Sequence, residues 1–320
     1  MAKGKNDPLA GKLVALIGGS GFFGAHVAQE LLSRGARLRI ISRHPQNAWH
    51  LKPLAGLGQI QFLPGDVRRM QTIAPSLIGC DGVVNLVGAF AGDLDSLQGE
   101  GAGRIAAAAK AGGAAAFVHV SALGAELGSG VPYNRTKAEG ERAVLAAFPQ
   151  ATILRPSVLF AQDDKFINMF GGLIAMLPAL PVFAPHAKLQ PLFVDDAAEA
   201  VVAALSDPAK HGGKTYDIAG PDQISMGDLN RRIAAAQGRG RWFIELPDFV
   251  SSAFATFTGW LPGAPLSRDQ WALLKDGNVL PGKNGLADLG ITPRPLSLFL
   301  DKWMTRFRKH GRFGAKVRAS

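Results

Sequence analysis

Along the first half of the chain, short unbroken apolar runs alternate with longer stretches whose apolar residues recur at helical spacing. That alternation is the signature of an α/β fold in which a parallel sheet is covered by helices on both faces. The runs predict strands at Leu13–Ile17, Leu38–Ile41, Ile60–Leu63, Gly82–Val87, Phe117–Val120 and Ala151–Leu154. Helices are expected over Ala25–Arg34, stopped by Gly35, and over the alanine-rich Leu94–Lys110. The second half is patterned less regularly. Val194-Asp195-Asp196 before Ala197–Leu205 reads as strand, cap and helix, the aspartates lying where a helix N-terminus favours negative charge. Thr215–Ala219 reads as a strand returning to the sheet, and Asp228–Ala236 as a helix. Trp242–Pro262 concentrates Trp242, Phe243, Phe249, Phe254, Phe257 and Trp260, which suits either a helix of the core or lobe interface or a surface for a membrane or partner. Functional groups are expected just past the carboxyl ends of the strands, where open α/β sheets bind ligands.

The first such end is the most informative. Directly after the opening strand come Gly18, Gly21 and Gly24, with Phe22 and Phe23 between them, and then a helical pattern. Gly18 permits a tight turn, Gly21 lets the backbone approach a pyrophosphate, and Gly24 lets the helix lie close on the strand. The free N–H groups of the helix N-terminus then point at the anion. This arrangement predicts a dinucleotide site.

The end of the second strand distinguishes the dinucleotides. An acid there would accept from ribose hydroxyls and favour NAD, whereas an arginine pairs with the extra phosphate of NADP. The chain has Ser42-Arg43-His44, so Arg43 predicts NADPH. Asp66, past the third strand, is placed either to cap a helix or to accept from the adenine amino group.

Ser121, Tyr133 and Lys137 form a second constellation. Tyr133 and Lys137 share a helix face, and Ser121 stands at a strand end from which it reaches the same pocket. A phenol of ordinary pKa near ~10 must be made more acidic to pass protons at neutral pH. A neighbouring ammonium does this and also holds ribose hydroxyls. Serine would orient a substrate carbonyl or alcohol.

Composition changes this picture only at its edges. With 320 residues, 47% of them hydrophobic, the chain can bury a full core and is not a disordered one. Cys80, the one cysteine, excludes an internal disulfide and a cysteine-rich metal site, and no metal site is expected. The formal charge of +10 points to acidic partners, but the basic residues are not interleaved with a stacking platform, so nucleic acid is not favoured. The first dozen residues lack an apolar signal core and an arginine- and serine-rich transit pattern, so the chain is expected in the cytoplasm. The apolar Phe166–Val182 is too short for a bilayer span and carries Pro178 and Pro181, so it is read as a buried helix and turn. From Lys302 onward the chain is basic, with Trp303, Met304, Phe307 and Phe313 interspersed and no acid after Asp301. Such a tail suits an anionic membrane surface, which would place the protein peripherally on the cytoplasmic face of the inner membrane.

Gly18-Gly-Ser-Gly-Phe-Phe-Gly24, Asn85-Leu-Val-Gly88, His119-Val-Ser121, Tyr133-Asn-Arg-Thr-Lys137 and Arg155-Pro156 resemble the extended and atypical short-chain dehydrogenase/reductase superfamily. Within it, Lys137-Ala-Glu-Gly-Glu141, Leu154-Arg-Pro-Ser157, Asp163-Asp-Lys-Phe-Ile-Asn168, Phe193-Val-Asp-Asp196 and Lys214-Thr-Tyr-Asp217 resemble the NADPH-binding accessory subunits of respiratory complex I and their bacterial relatives. The resemblance runs from about Lys12 to about Leu280. It implies a Rossmann-type doubly wound sheet over residues 1–160, a small discontinuous α/β lobe over 161–300 and a basic tail over 301–320. It also implies a tightly held NADPH lined by Gly18, Gly21, Phe22, Phe23, Gly24, Arg43, Asp66, Val67, Leu86, Val87, Gly88, Tyr133, Lys137 and Pro156. Relatives in complex I hold their nucleotide structurally, yet Ser121, Tyr133 and Lys137 are all retained here. Two roles therefore stand side by side. One is an accessory or assembly subunit of a respiratory NADH:ubiquinone oxidoreductase or a quinone-related membrane complex. The other is a free NADPH-dependent reductase, dehydrogenase or epimerase acting on a quinone-like, lipid or sugar substrate.

Overall fold

The computed structural model describes residues 7–247, 268–309 and 311. In chain order the strands are β1 (Leu13–Ile17), β2 (Arg37–Ser42), β3 (Ile60–Pro64), β4 (Gly82–Asn85), β5 (Ala116–Val120), β6 (Thr152–Pro156), β7 (Leu159–Phe160), β8 (Ala179–Val182), β9 (Lys188–Leu189), β10 (Leu192–Phe193), β11 (Thr215–Ile218), β12 (Ile224–Ser225) and β13 (Trp242–Glu245). The helices are α1 (Phe22–Ser33), α2 (Ala74–Leu77), α3 (Glu100–Ala111), α4 (Pro132–Ala147), α5 (Phe166–Met176), α6 (Val194–Ser206), α7 (Pro208–His211), α8 (Met226–Ala236), α9 (Arg268–Lys275) and α10 (Leu300–Met304). They divide into two compact units.

The first unit comprises the chain up to Pro156, Val194–Ile218 and Gly282–Thr292. Its centre is a seven-stranded sheet in the order β11-β6-β5-β4-β1-β2-β3. Every pairing is parallel, so each β-to-β connection must cross over, and the crossovers place helices on the faces. β1 sits beside both β2 and β4, with Val14 opposite Leu38 on one side and Gly82 on the other. Strand order therefore reverses at β1, the place where such sheets leave a crevice for a ligand. One face carries α1 and α6, and the other carries α3 and α4. On the α3–α4 face, Ala15, Ile17, Val83, Phe117 and Ile153 of the sheet pack against Ala102, Ile105, Ala106, Ala109, Val144 and Phe148. The alanine-rich sequence of α3 lets it approach α4 closely, and Gly140 completes the contact by lying against the Gln98 carbonyl.

The second unit comprises the described residues of Ser157–Phe193, Ala219–Pro281 and Pro293–Ser320. α8 packs on α5 and α10, and the Gln237 amide donates to the Gly171 carbonyl at 2.8 Å. β8 pairs in parallel with β13. Phe160, Phe193, Phe299 and Trp303 form a stacked group, with the Arg294 guanidinium 4.5 Å from the Phe193 ring centroid. Among the described residues no helix is long and apolar enough to cross a membrane.

Several elements depart from the sequence pattern for identifiable reasons. The helix expected from Leu94 starts as a wide π turn over Asp95–Gly99 and becomes regular only at Glu100, because Gly101 allows its backbone to lie against the Ser96 carbonyl. The strand expected at Val194 ends at Phe193, so Asp195 and Asp196 fall inside the first turn of α6. There Asp195 accepts from or pairs with His26 Nδ1 of α1 at 2.6 Å. The aromatic stretch does not begin as a helix: Trp242–Glu245 is β13, with Trp242 and Ile244 exposed, and residues 248–262 lie outside the described residues. In the basic tail, Met304 is buried and Trp303 stacks on Phe299 at 4.9 Å, so neither is free for a membrane surface. Residues 312–320 lie outside the described residues.

A methyl group at Gly140 has nowhere to go, because the atom it meets is the backbone carbonyl of Gln98. Gly140→Ala should destabilise the protein by about 1–3 kcal/mol, read as a lowered urea midpoint at unchanged slope.

Candidate functional site

All the sequence-predicted site residues belong to the first unit and gather at the carboxyl ends of its central strands. Gly18 adopts φ +81°, a conformation that side chains disfavour, and its N–H donates to the Ile41 carbonyl at 2.9 Å. A Cβ there would sit 3.3 Å from the Leu86 carbonyl carbon, so the turn after β1 packs directly on the end of β4. Gly21 precedes α1, which has no side-chain cap, and donates its N–H to the Gly18 carbonyl at 3.1 Å. Gly24 is buried with its α-carbon against Gly19, where a Cβ would come within 2.6 Å. α1 thus opens at Phe22, earlier than the apolar period suggests, and its first-turn amides have no acidic residue beside them. Phe22 is half-buried against His26, with ring centroids 5.4 Å apart, and Phe23 is half-buried beside it.

Arg43 follows β2, is exposed, and makes no ion pair among the described residues. Ser42 before it is buried, and its hydroxyl has no hydrogen-bond partner among the described residues. Asp66 is also buried, but its carboxylate is already held. Arg68 donates to both oxygens, from Nε at 3.1 Å and from its terminal nitrogen at 2.7 Å, and the Arg68 backbone N–H adds a third bond at 3.0 Å. Those hydrogen bonds and the nearby positive charge hold the Asp66 pKa down at about 2 against the opposing effect of burial. The carboxylate is ionised and its direction is set by Arg68. Val67 points into the core beside Gly101.

The turn after β4 is clamped from two sides. The Asn85 side-chain oxygen accepts from the Val87 N–H at 3.1 Å, while the Val87 carbonyl accepts from Lys137 Nζ at 3.2 Å. Because its oxygen is thus committed, the Asn85 amide nitrogen faces His119 Nδ1 at 3.1 Å as the donor. His119 therefore accepts at Nδ1 and carries its proton on Nε2, which is buried with no partner. Burial, reinforced by the Lys137 charge, pushes the His119 pKa down to about 3, so this tautomer persists across the physiological range.

α4 supplies Tyr133 and Lys137. Lys137 is almost fully buried and donates to the Val120 carbonyl at 3.0 Å as well as to Val87. A Cβ at Gly88 would lie 3.4 Å from its ammonium, so the exposed Gly88 covers the charge with backbone alone. Val120 immediately precedes Ser121, whose buried hydroxyl has no partner among the described residues and whose N–H donates to the Leu154 carbonyl at 2.8 Å. Tyr133 is half-buried, one turn before Lys137, with its ring stacked on Phe90 at 4.6 Å. Pro156 closes the end of β6, its carbonyl accepting from the Leu123 N–H at 3.0 Å.

The electrostatics of this group differ from the expectation of an acidified phenol. Burial pushes Tyr133 up to about 12, and burial likewise lowers Lys137 to about 8 against the raising effect of Glu141. The ammonium is spent on two backbone carbonyls, which fixes its position. Sequence reasoning missed four participants. Gln98 accepts from the Ala89 N–H and donates to Thr136, tying the turn after β4 to α4. Phe90 seats the tyrosine ring, and Glu141 with Arg155 stands behind Lys137. Only the i, i+4 spacing of Lys137 and Glu141 carries a sequence signal for any of them.

A doubly wound parallel sheet whose glycine turn, strand-end amides and buried lysine converge at the switch point defines an NAD(P)-binding domain of the short-chain dehydrogenase/reductase type. Residues 18–169 match a family described as NAD(P)H-binding, and residues 130–253 match the RmlD substrate binding domain. The chain is 31% identical over 319 residues to NADH dehydrogenase (ubiquinone) 1 alpha subcomplex subunit 9, mitochondrial, of Mus musculus, covering 96% of this chain and 84% of that protein. It belongs to that family of subunit-9 proteins. It is also 28% identical over 253 residues to a ceramide reductase of Caulobacter vibrioides, covering 78% of each. The crystal structure of a Citrobacter triphenylmethane reductase complexed with NADP(H) shares the fold, with a TM-score of 0.72 and 16% identity over 92% of this chain and 99% of that one.

The chain contains only two tyrosines, Tyr133 and Tyr216, and burial raises both. Spectrophotometric titration of the nucleotide-free protein should therefore show no tyrosinate between pH ~7 and ~10. Phenolate absorbance appearing near neutrality would mean that Lys137 acidifies Tyr133 without help from a ligand.

Proposed function

We propose that this chain holds NADPH in its Rossmann domain and acts as an accessory or assembly subunit of a respiratory NADH:ubiquinone oxidoreductase or a related quinone-linked membrane complex. The observation that carries this reading is the setting of Tyr133 and Lys137. The lysine is organised as a fixed donor, which suits holding a nucleotide, while the phenol keeps its proton and so does not offer the base that alcohol oxidation needs. The subunit-9 relatives support the respiratory context. Arg43 supports NADPH over NADH, because an exposed guanidinium without an ion-pair partner beside the second strand is available to a ribose phosphate. Gly18, Gly21 and the open first turn of α1 would take the pyrophosphate, and Gly88, Lys137 and Pro156 would line the far half. When bound, NADPH supplies a hydride donor; the residues here bind and orient it.

Peripheral attachment to the cytoplasmic face of the inner membrane belongs to the same proposal. Lys302 and Lys309 of the described tail are exposed cations for an anionic surface, whereas Arg306 and Arg308 already donate to the Gln162 and Ala236 carbonyls.

A second reading has its own support. Ser121, Tyr133 and Lys137 are retained together and the Ser121 hydroxyl is unpartnered, which suits a reductase acting on a lipid or quinone-like carbonyl. The ceramide reductase relative supports the same direction.

Protein purified without added nucleotide should release NADP(H) on denaturation, and native electrophoresis of source membranes should find the chain migrating with a large respiratory complex. Arg43→Asp should weaken NADPH by at least about tenfold and NADH little, since a phosphate attraction becomes a repulsion. Equal affinity of the wild type for both nucleotides would reject the NADPH assignment. A chain found only free, with substrate-dependent NADPH oxidation lost in Tyr133→Phe, would favour the reductase.

A further inference from the structure

Lys137 does not stand alone. Four residues further along α4, Glu141 lies on the same face and is buried. Arg155 of β6 grips both Glu141 oxygens, from Nε at 2.7 Å and from a terminal nitrogen at 2.5 Å. Arg155 in turn lies 3.8 Å from Asp217 of β11. Charges therefore alternate from the nucleotide side of α4 to the edge strand of the sheet: Lys137 positive, Glu141 negative, Arg155 positive, Asp217 negative. Tyr133, one turn earlier on α4, keeps its proton and is neutral. From β5 comes the neutral His119, and from the turn before α3 the Gln98 amide, whose oxygen shares Gly88 as a neighbour with the lysine.

We propose that Glu141, held in place by Arg155, is a positioning residue of the nucleotide site that keeps the buried Lys137 protonated, while the Val87 and Val120 carbonyls aim it. The inference rests on the reading that Lys137 binds NADPH, and it adds a regulation of that site by pH. Burial works against the ammonium, and Glu141 is the charge that works for it, bringing Lys137 to about 8. Removing Glu141 would take away the charge that favours the ammonium against burial, so the lysine would surrender its proton earlier. The direction follows from the lysine titration. Below the midpoint the ammonium is present and binding is full, and binding is lost as pH rises through the midpoint.

The test is fluorescence titration of nucleotide-freed protein with NADPH between pH ~7 and ~9.5, above the titration of the ligand's own phosphate. The wild type should lose affinity with a midpoint near pH 8. Glu141→Gln should move the midpoint down by about one unit, so that affinity at pH ~8 falls several-fold while affinity on the acid plateau stays close to wild type. Because Glu141→Gln leaves Arg155 partly buried and unpaired, a second variant, Glu141→Gln with Arg155→Gln, removes both charges, and its midpoint should lie between the other two. A uniform loss of affinity at every pH with the midpoint unmoved would overturn the proposal and make the pair merely structural. A Lys137→Met chain that binds NADPH like the wild type, with no pH midpoint in either, would instead remove the nucleotide reading on which the proposal stands.

Discussion

Backbone lying on backbone is the constraint from which the rest of this structure follows. Gly24 against Gly19, and Gly18 against Leu86, are contacts with no room for a side chain, and they bring the end of β1, the start of α1 and the end of β4 into one small region. The unpaired amides of α1 and the turn Leu86–Gly88 then face the same crevice, and the parallel sheet brings Ser121 and Pro156 to the same edge. Side chains could not make this surface, since a pyrophosphate must approach main-chain N–H groups directly. The apolar core on the α3–α4 face keeps the strands in register, and the glycines at the edge turn that rigidity into a binding surface.

Above the core lies a polar layer that is satisfied at most of its groups, His119 Nε2 excepted. Asn85, His119, Gln98, Lys137, Glu141 and Arg155 are threaded between β4, β5, β6 and α4, each bound to a carbonyl, an amide or a charge. Burying a lysine costs free energy unless its proton donors find acceptors, and here two strand-end carbonyls provide them. The same bonds pin the peptide of Val87, so the stability of the layer and the shape of the nucleotide wall have a common cause.

The fold was largely legible because it rests on local signals. Six apolar runs, the glycine turn and the Tyr133–Lys137 spacing are patterns within short windows, and the strands Ile60–Pro64 and Ala116–Val120 differ from expectation by a residue at an end. What was hidden depends on tertiary contact. The π turn at Asp95–Gly99 arises where Gly101 meets Ser96 and precedes a helix whose composition is otherwise ordinary. The grip of Arg68 on Asp66 recasts a residue read either as a helix cap or as an acceptor for adenine, and the burial of Met304 draws part of a basic tail into the second unit. The phenol of Tyr133 is the plainest case. Spacing places a lysine one turn away, but only the structure shows that lysine committed to two carbonyls and the phenol raised by burial.

That commitment bears on how such a site would answer its ligand. At neutral pH both Tyr133 and Lys137 hold their protons, and His119 is neutral with its basic nitrogen engaged by Asn85, so the group contains no vacant proton acceptor. A bound dinucleotide carries negative phosphates and, in its reduced form, an uncharged nicotinamide ring. Negative charge brought near these groups would stabilise the ammonium and hold the phenolic proton more firmly. Reduced nucleotide would thus strengthen this arrangement, whereas alcohol oxidation, which needs the phenol as a base, would require a positive charge beside it, from the oxidised ring or from a substrate. The electrostatics of the site accordingly favour the protonated forms of both side chains, with the chemistry conditional on what enters beside them.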